Sequence, residues 1–132
     1  MPNPDQSKGS HPKGDLAIRV LAMPADTNPS GDIFGGWVMS QMDIAGGVTA
    51  ESLSGGRVAT VAVDGFTFHL PINVGDVVCF YADVVDVGTT SISIHLEAWV
   101  SRISTISERF KVTEGTFVYV ALDKQGNKRK VQ

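Results

Sequence analysis

Within Asn28 to Gly47, NPSGDIFGGWVMSQMDIAGG, the nearly all-apolar helical pattern that follows Asp32 carries one acidic side chain, Asp43. A helical period places Asp43 on one face with Gly36 and Ser40 before it and Gly47 and Ala50 after it. That face is built of small residues, so a ligand or a second backbone can approach the carboxylate closely. No Lys or Arg occurs between Arg19 and Arg57, so no cation nearby in sequence neutralises it. Burial without a partner disfavours the charged form of a carboxyl group, a bias that suits a general base. The competing reading has Asp43 facing solvent or capping a neighbouring loop, and the helix pattern alone does not separate the two.

A second feature opens the same helix. Gly35 and Gly36 lie in its first turn, where backbone N–H groups lack intrahelical partners and the macrodipole favours negative charge. Such a turn can hold an oxyanion, although a glycine pair also serves plain close packing. The seven residues from Gly36 to Asp43 amount to a rise of roughly 10 Å, too long for one catalytic centre on one helix. An intervening water, or an Asp supplied by a second subunit whose helix packs antiparallel, would close that distance. Asn28, in the preceding loop, has an amide able to orient a water or a carbonyl, and equally belongs to ordinary turn chemistry before Pro29, Ser30 and Gly31.

The elements that must carry these groups follow from the pattern. Leu16 to Met23 reads as a first strand and Pro24 to Asp32 as a loop. A helix runs from about Ile33 to Leu53, with Asp32 as N-cap and Gly55-Gly56 as its stop. Four long strands follow, at Arg57 to Leu70, Asp76 to Val87, Thr90 to Arg102 and Arg109 to Leu122. In Ser91 to Ser101 the residues Ile92, Ile94, Leu96, Ala98 and Val100 share one face, which is predicted to be core. The layout is α+β, and because the helix shows no clearly polar side, the sheet must curl around it.

Composition narrows the function classes. A chain of 132 residues fits one domain, here residues 15–123, preceded by a flexible arm at 1–14 and followed by a frayed basic tail at 124–132. With 14 acidic residues against 11 basic ones, a general nucleic-acid binder is excluded. The arm lacks the apolar core of a signal peptide, and no apolar run spans a bilayer, so no membrane partner is expected and a cytoplasmic location is. The single cysteine, Cys79, lies in an apolar run and reads as a small core residue. Three histidines, at 11, 69 and 95, offer no metal-ligand spacing, so no metal is expected. No Gly-x-Ser-x-Gly elbow occurs, which argues against serine-hydrolase chemistry.

At these residues the chain resembles the YciA-type acyl-CoA thioesterases of the hotdog superfamily. The resemblance is carried by LAMPADTNPSGDIFGGWVMSQMDIAGG, GRVATVAVDGFTFHLPINVGDVV, GTTSISIHLEAWV and VTEGTFVYVALD, and it covers Ile18 to Asp123. It implies a single hotdog domain, with a five-stranded antiparallel sheet wrapped around one long central helix. It also implies a homodimer with a continuous ten-stranded sheet, assembled as a trimer of dimers. The implied reaction is hydrolysis of acyl-CoA to a free acid and CoA, without a cofactor, since CoA is part of the substrate. Asp43 takes the place of the family's catalytic carboxylate, as base or nucleophile, and Asn28 that of its active-site Asn, from the partner subunit. The N–H of Gly36 would then polarise the thioester carbonyl.

One departure concerns CoA. The family often carries a basic residue just before the proline that ends the second strand, where this chain reads His69-Leu70-Pro71. Other cations must then meet the phosphates, and Arg57, Arg102, Arg109 and Lys111 are the candidates. Each equally suits a solvated strand charge that discourages edge pairing. The acyl groove is expected between subunits, lined by Trp37, Met42, Phe66 and Phe68. Two rival readings stand beside hydrolysis. A hotdog dehydratase or hydratase would use a His with an acid, and His69 lies on the wrong side of Asp43 for that order. A non-catalytic acyl-CoA-binding module would lack the carboxylate or the glycine pair, and both are present.

Overall fold

The computed structural model describes residues 11–102 and 105–132, with side chains outside 102–107. The chain forms β1 (Asp15–Leu21), a 3-10 turn (Pro24–Asp26), α1 (Gly35–Ser54), β2 (Val58–Phe68), β3 (Val77–Val87), β4 (Ser91–Arg102) and β5 (Thr105–Ala121). The strands make one five-stranded sheet in the order β1-β3-β4-β5-β2, and every neighbouring pair is antiparallel. The expected α+β layout is therefore present, with β1 and β2 as the two edges. β5 begins at Thr105 rather than near Arg109, because the pairing with β4 continues to Arg102 opposite Thr105.

The alternation in β4 sorts as expected. Ile92, Ile94, Leu96, Ala98 and Val100 are fully buried and join Val38, Met42, Ala45 and Ala50 of α1 in one core. Each such side chain contributes about 1.5–3 kcal/mol for a full-sized aliphatic removed from water, and β4 supplies four of them. Cys79 is buried, as expected of a small core residue, and it lies on the outer face of the sheet opposite Trp99, where it accepts a hydrogen bond from Arg19 Nε at 3.4 Å.

α1 departs from a helix buried all round. Val38, Met42, Ala45, Gly46 and Ala50 face the sheet, whereas Ile44 is 51% and Val48 52% exposed, with Phe34 and Met39 also open. One sheet can cover only one side of a helix, so the apolar excess of the sequence points outward in the single chain. The helix starts at Gly35, and Phe34, not Asp32, holds the cap position without a side-chain hydrogen bond. The loop explains this. Asn28 closes it by accepting from the N–H of Asp32 at 3.1 Å, and Phe34 N–H donates to the Asp26 carbonyl at 3.1 Å, so the chain is committed before Asp32 could cap. The stop is as expected, with Gly55 at φ 74°.

Residues 1–10 of the arm lie outside the described residues. Its last residue, Gly14, packs on the sheet: at φ +89°, an added Cβ would lie 2.2 Å from the Ala82 carbonyl oxygen. The basic tail is not frayed. After a turn through Gly126, Arg129 donates to the carbonyls of Leu122 and Ser54, each at 3.0 Å, and so caps the C-terminal end of α1. Val131 N–H donates to Thr89 and its side chain is 3% exposed, so an apolar anchor and a cation together hold the end of the chain.

Candidate active site

Asp43 is half-buried where α1 meets β2. Its Oδ1 accepts a 2.5 Å hydrogen bond from the hydroxyl of Thr60, so the carboxylate is not alone as the sequence suggested. Bonds to a charged acceptor are short and strong, and this one fixes the carboxylate rotamer without neutralising it. Thr60 was not legible in the sequence, because only the packing of β2 along α1 brings residues 43 and 60 together.

The backbone of Asp43 is fixed as well. Tyr119 of β5, 1% exposed, donates its hydroxyl to the Asp43 carbonyl oxygen at 3.0 Å. The phenol reaches the helix backbone only because residue 46 has no side chain: a Cβ at Gly46 would lie 2.1 Å from the Tyr119 hydroxyl oxygen. Burial, followed by the charge and hydrogen-bonding of Asp43, pushes the Tyr119 phenol far above its ordinary range, which keeps it a donor. Carboxylate and carbonyl of one residue are thus held by two strands, β2 and β5. The rest of the face around Asp43 is small, as expected, with Gly36 and Ser40 exposed and Gly47 half-buried. Ser40 turns its hydroxyl back onto the Trp37 carbonyl at 2.9 Å.

The two glycines at the start of α1 separate into two roles. A Cβ at Gly35 would lie 3.1 Å from the tip of the Phe68 ring, so that glycine serves close packing. Gly36 is exposed with nothing within 4 Å of an added Cβ, and its N–H points from the first turn of a 20-residue helix. Asn28 does turn chemistry with one end of its amide: Oδ1 accepts from the N–H of Ser30 and Asp32 at 3.0 and 3.1 Å. The NH₂ end is left to donate elsewhere. Within one chain the hydrogen bonds of Asn28 stay in its loop and those of Asp43 run to β2 and β5, so no hydrogen bond joins the two among the described residues.

Beside the N-terminus of α1 opens a cavity of about 380 Å³ lined by Gly35, Val38, Phe68, Leu70, Ile72 and Thr113, with His69 at its rim. Of the residues expected to line an acyl groove, Phe68 is present there, whereas Met42 is fully buried in the core. The nominated cations are scattered. Arg57 is exposed beyond the opposite end of α1, beside a second depression shared with Gly55 and Arg129. Arg109 lies over the rings of Tyr81 and Trp99 and donates to the Tyr81 hydroxyl, and Lys111 pairs with Glu114 at 3.1 Å. The side chain of Arg102 lies outside the described residues.

His69 does not serve Asp43. Its Nε2 lies 2.7 Å from Glu114 Oε2. Burial pushes the Glu114 carboxyl up, but hydrogen bonds from His69 and Lys111, with their charges, outweigh it and hold the group below the ordinary carboxylate range.

One long helix wrapped by a five-stranded antiparallel sheet, with a carboxylate held at the helix–edge-strand seam, is a hotdog domain. The sequence model of the Thioesterase superfamily matches residues 30–106, and the chain belongs to that family. It is 57% identical over 120 residues to the acyl-CoA thioester hydrolase YciA of Escherichia coli, a match spanning 89% of this chain and 91% of that protein. Among solved structures, it superposes on the hexameric thioesterase y2039 of Yersinia pestis with a TM-score of 0.88 at 52% identity, covering 92% of this chain and 98% of that one. An acyl-CoA hydrolase of Staphylococcus aureus, solved with butyryl-CoA and CoA, matches at TM-score 0.79 and 26% identity over 86% of this chain and 68% of that one. Variants of that enzyme have been solved with an aspartate, an asparagine or a threonine changed to alanine.

Proposed function

We propose that this chain is an acyl-CoA thioester hydrolase that releases a free carboxylic acid and CoA, with Asp43 as the reacting carboxylate. The observation that carries the chemistry is the doubly held Asp43, fixed through Thr60 and Tyr119 on an outward helix face of small residues. The same three residue types changed in the Staphylococcus aureus enzyme occur here as Asp43, Asn28 and Thr60. No cofactor enters the reaction, because the carboxylate, an N–H donor and water suffice for it.

The reaction follows from these positions. Asp43 takes a proton from a water whose oxygen attacks the thioester carbonyl, or attacks that carbon itself to give an anhydride that water then opens. The N–H of Gly36, at the positive end of α1, stabilises the oxyanion, and the Asn28 NH₂ orients the carbonyl or the water. In the base route collapse breaks the C–S bond and the CoA sulfur leaves with the proton that Asp43 took from water. In the anhydride route CoA leaves as a thiolate and gains its proton from the water that then opens the anhydride.

The rise of about 10 Å between Gly36 and Asp43 supports a site in which these groups come from different chains of a dimer. The second chain has a surface to join. β2 is an unpaired edge with Val61 55% and Phe68 51% exposed, and Ile44 and Val48 of α1 lie open beside it. Pairing two β2 edges antiparallel continues the sheet to ten strands, lays the two helices side by side, and brings Asp43 of one subunit toward Gly36 and Asn28 of the other. Three such dimers make the hexamer. The apolar lining beside Gly35 and Phe68 suits the acyl chain, and the CoA phosphates fall to Arg57, Arg102, Arg109 and Lys111. Of these, Arg57 is exposed and without an ion pair among the described residues.

Asp43→Asn tests the assignment. The variant is expected to keep its assembly and thermal midpoint while losing most release of CoA from short, medium and long acyl-CoAs. Full activity in Asp43→Asn, or silence of the native chain on all three, overturns it. Mixing Asn28→Ala with Asp43→Asn subunits is expected to restore part of the activity, because one of the two sites in a mixed dimer is then intact.

A further inference from the structure

On the face of the sheet turned away from α1, a cluster of titratable groups has no part in thioester chemistry. His95 and Glu97 are alternate residues on β4, pointing opposite to the core residues Ile94, Leu96 and Ala98. Glu114 of β5 pairs directly with Glu97 across the ladder. Two carboxylates facing each other this way repel, and Glu97 is only 2% exposed, so the pair needs positive charge from somewhere. Lys111 supplies one charge, at 3.1 Å from Glu114 Oε2.

The orientation of each group is informative. Glu97 Oε1 is engaged by Trp99 Nε1–H at 2.8 Å and by the backbone N–H of Lys13 at 3.4 Å. Glu114 Oε2 is engaged by Lys111 and by His69 Nε2 at 2.7 Å. Each carboxylate therefore turns its other oxygen toward one point, where His95 Nε2 also lies, 2.9 Å from Glu97 Oε2 and 3.6 Å from Glu114 Oε1. A ligand atom from each of the three residues lies within 4.8 Å of the others. Around a cation with bonds of about 2.0–2.2 Å, tetrahedral neighbours stand roughly 3.3 Å apart, and the separations of 2.9 and 3.6 Å from His95 Nε2 straddle that value. Hydrogen bonds that fix the far side of each ligand are the usual support of a metal site.

We propose that His95, Glu97 and Glu114 form a binding site for a divalent first-row transition cation, with zinc the best match to one imidazole and two carboxylates. Magnesium and calcium favour oxygen-only surroundings and larger coordination numbers. The cation takes the place of the hydrogen bond between His95 Nε2 and Glu97 Oε2, and His95 coordinates through Nε2 as neutral imidazole. With His95 19% and Glu114 26% exposed, a water completes the coordination from the solvent side. The bound ion cross-links β4 to β5 and, through His69 and Lys13, ties in the end of β2 and the segment before β1. The ligands were hidden in the sequence because His95 and Glu97 are two apart on a strand and the third comes from the next strand, a pattern unlike contiguous ligand motifs.

The full-length chain, stripped with chelator and titrated with zinc chloride in the calorimeter, is expected to bind one zinc per chain and to gain thermal stability. Magnesium chloride at the same concentration is expected to do neither. His95→Asn and Glu114→Gln, both partly exposed positions, are expected to weaken zinc binding about 100-fold or more while far-UV dichroism and the assembly stay native. Absence of stoichiometric zinc in native mass spectra of the loaded chain overturns the proposal. Undiminished binding in both variants does the same, because it places the ion elsewhere.

Discussion

Gly46→Ala isolates the coupling between Tyr119 and the turn that carries Asp43. The new methyl group would lie 2.1 Å from the Tyr119 hydroxyl oxygen, 2.8 Å from Cζ and 2.9 Å from Leu96 Cδ1. Tyr119 is 1% exposed, so its ring cannot swing into solvent. In an exposed helix the substitution stabilises by about 1 kcal/mol through propensity. Here overpacking costs about 1–3 kcal/mol, and displacing the phenol from the Asp43 carbonyl removes about 1 kcal/mol more. The net loss is about 1–3 kcal/mol, a fall in Tm of roughly 4–12 °C for a chain of this size. The turn carrying Asp43 then shifts against β2, and a displacement near 1 Å at a catalytic group costs about 100-fold in turnover. Tyr119→Phe removes the atom in worst conflict, so Gly46→Ala is expected to cost about 1–2 kcal/mol less in that background. The assay is a double-mutant cycle of thermal unfolding at fixed protein concentration, alongside CoA release by each variant. An equal cost in both backgrounds, or an active and unperturbed Gly46→Ala, refutes the account.

Three other outcomes follow from the same contacts. Thr60→Val keeps the strand shape at an exposed position, so stability is expected to change by less than about 0.5 kcal/mol, while loss of the bond to the Asp43 carboxylate lowers kcat/KM about 10-fold or more. Glu114 ionises more easily in the fold than in the unfolded chain, so its stabilisation is full above the ordinary value of 4.5 and fades as pH falls through the lowered one. The Tm deficit of Glu114→Gln is accordingly expected to be largest at neutral pH and to shrink on acidification. Removing residues 129–132 takes away the Arg129 bonds to Leu122 and Ser54 and the buried Val131, and is expected to cost about 2–3 kcal/mol in chemical unfolding.

What the sequence disclosed was set by range. The α1 stop at Gly55, the strand order of apolar residues in β4 and the glycine pair at Gly35-Gly36 are local signals, and each stands where the pattern put it. The docking of the tail was not local: Arg129 reaches a carbonyl 75 residues away, and a short basic end without periodicity carries no mark of that. Asp32 failed as a cap for a related reason, since Asn28 reached its backbone first. The partners of Asp43, Thr60 at 17 residues and Tyr119 at 76, depend on how β2 and β5 lie along the helix.

The helix shows why half of the site stayed ambiguous. Its sequence is apolar on nearly every side, which says that every side is covered but not by what. The fold assigns Met42 and Ala45 to the sheet, at 0% exposure, and leaves Ile44 and Val48 more than half open only two and three residues away. Asp43 lies on the boundary between those two sides. One flank is fixed by Thr60 and Tyr119 of its own chain, and the other faces the open Ile44 and Val48 surface that a second copy covers in the proposed dimer. In the proposed dimer, the lone carboxylate and the apolar excess around it have one physical cause: the site lies at a seam, and the sequence encodes both of its walls while a single chain forms only one.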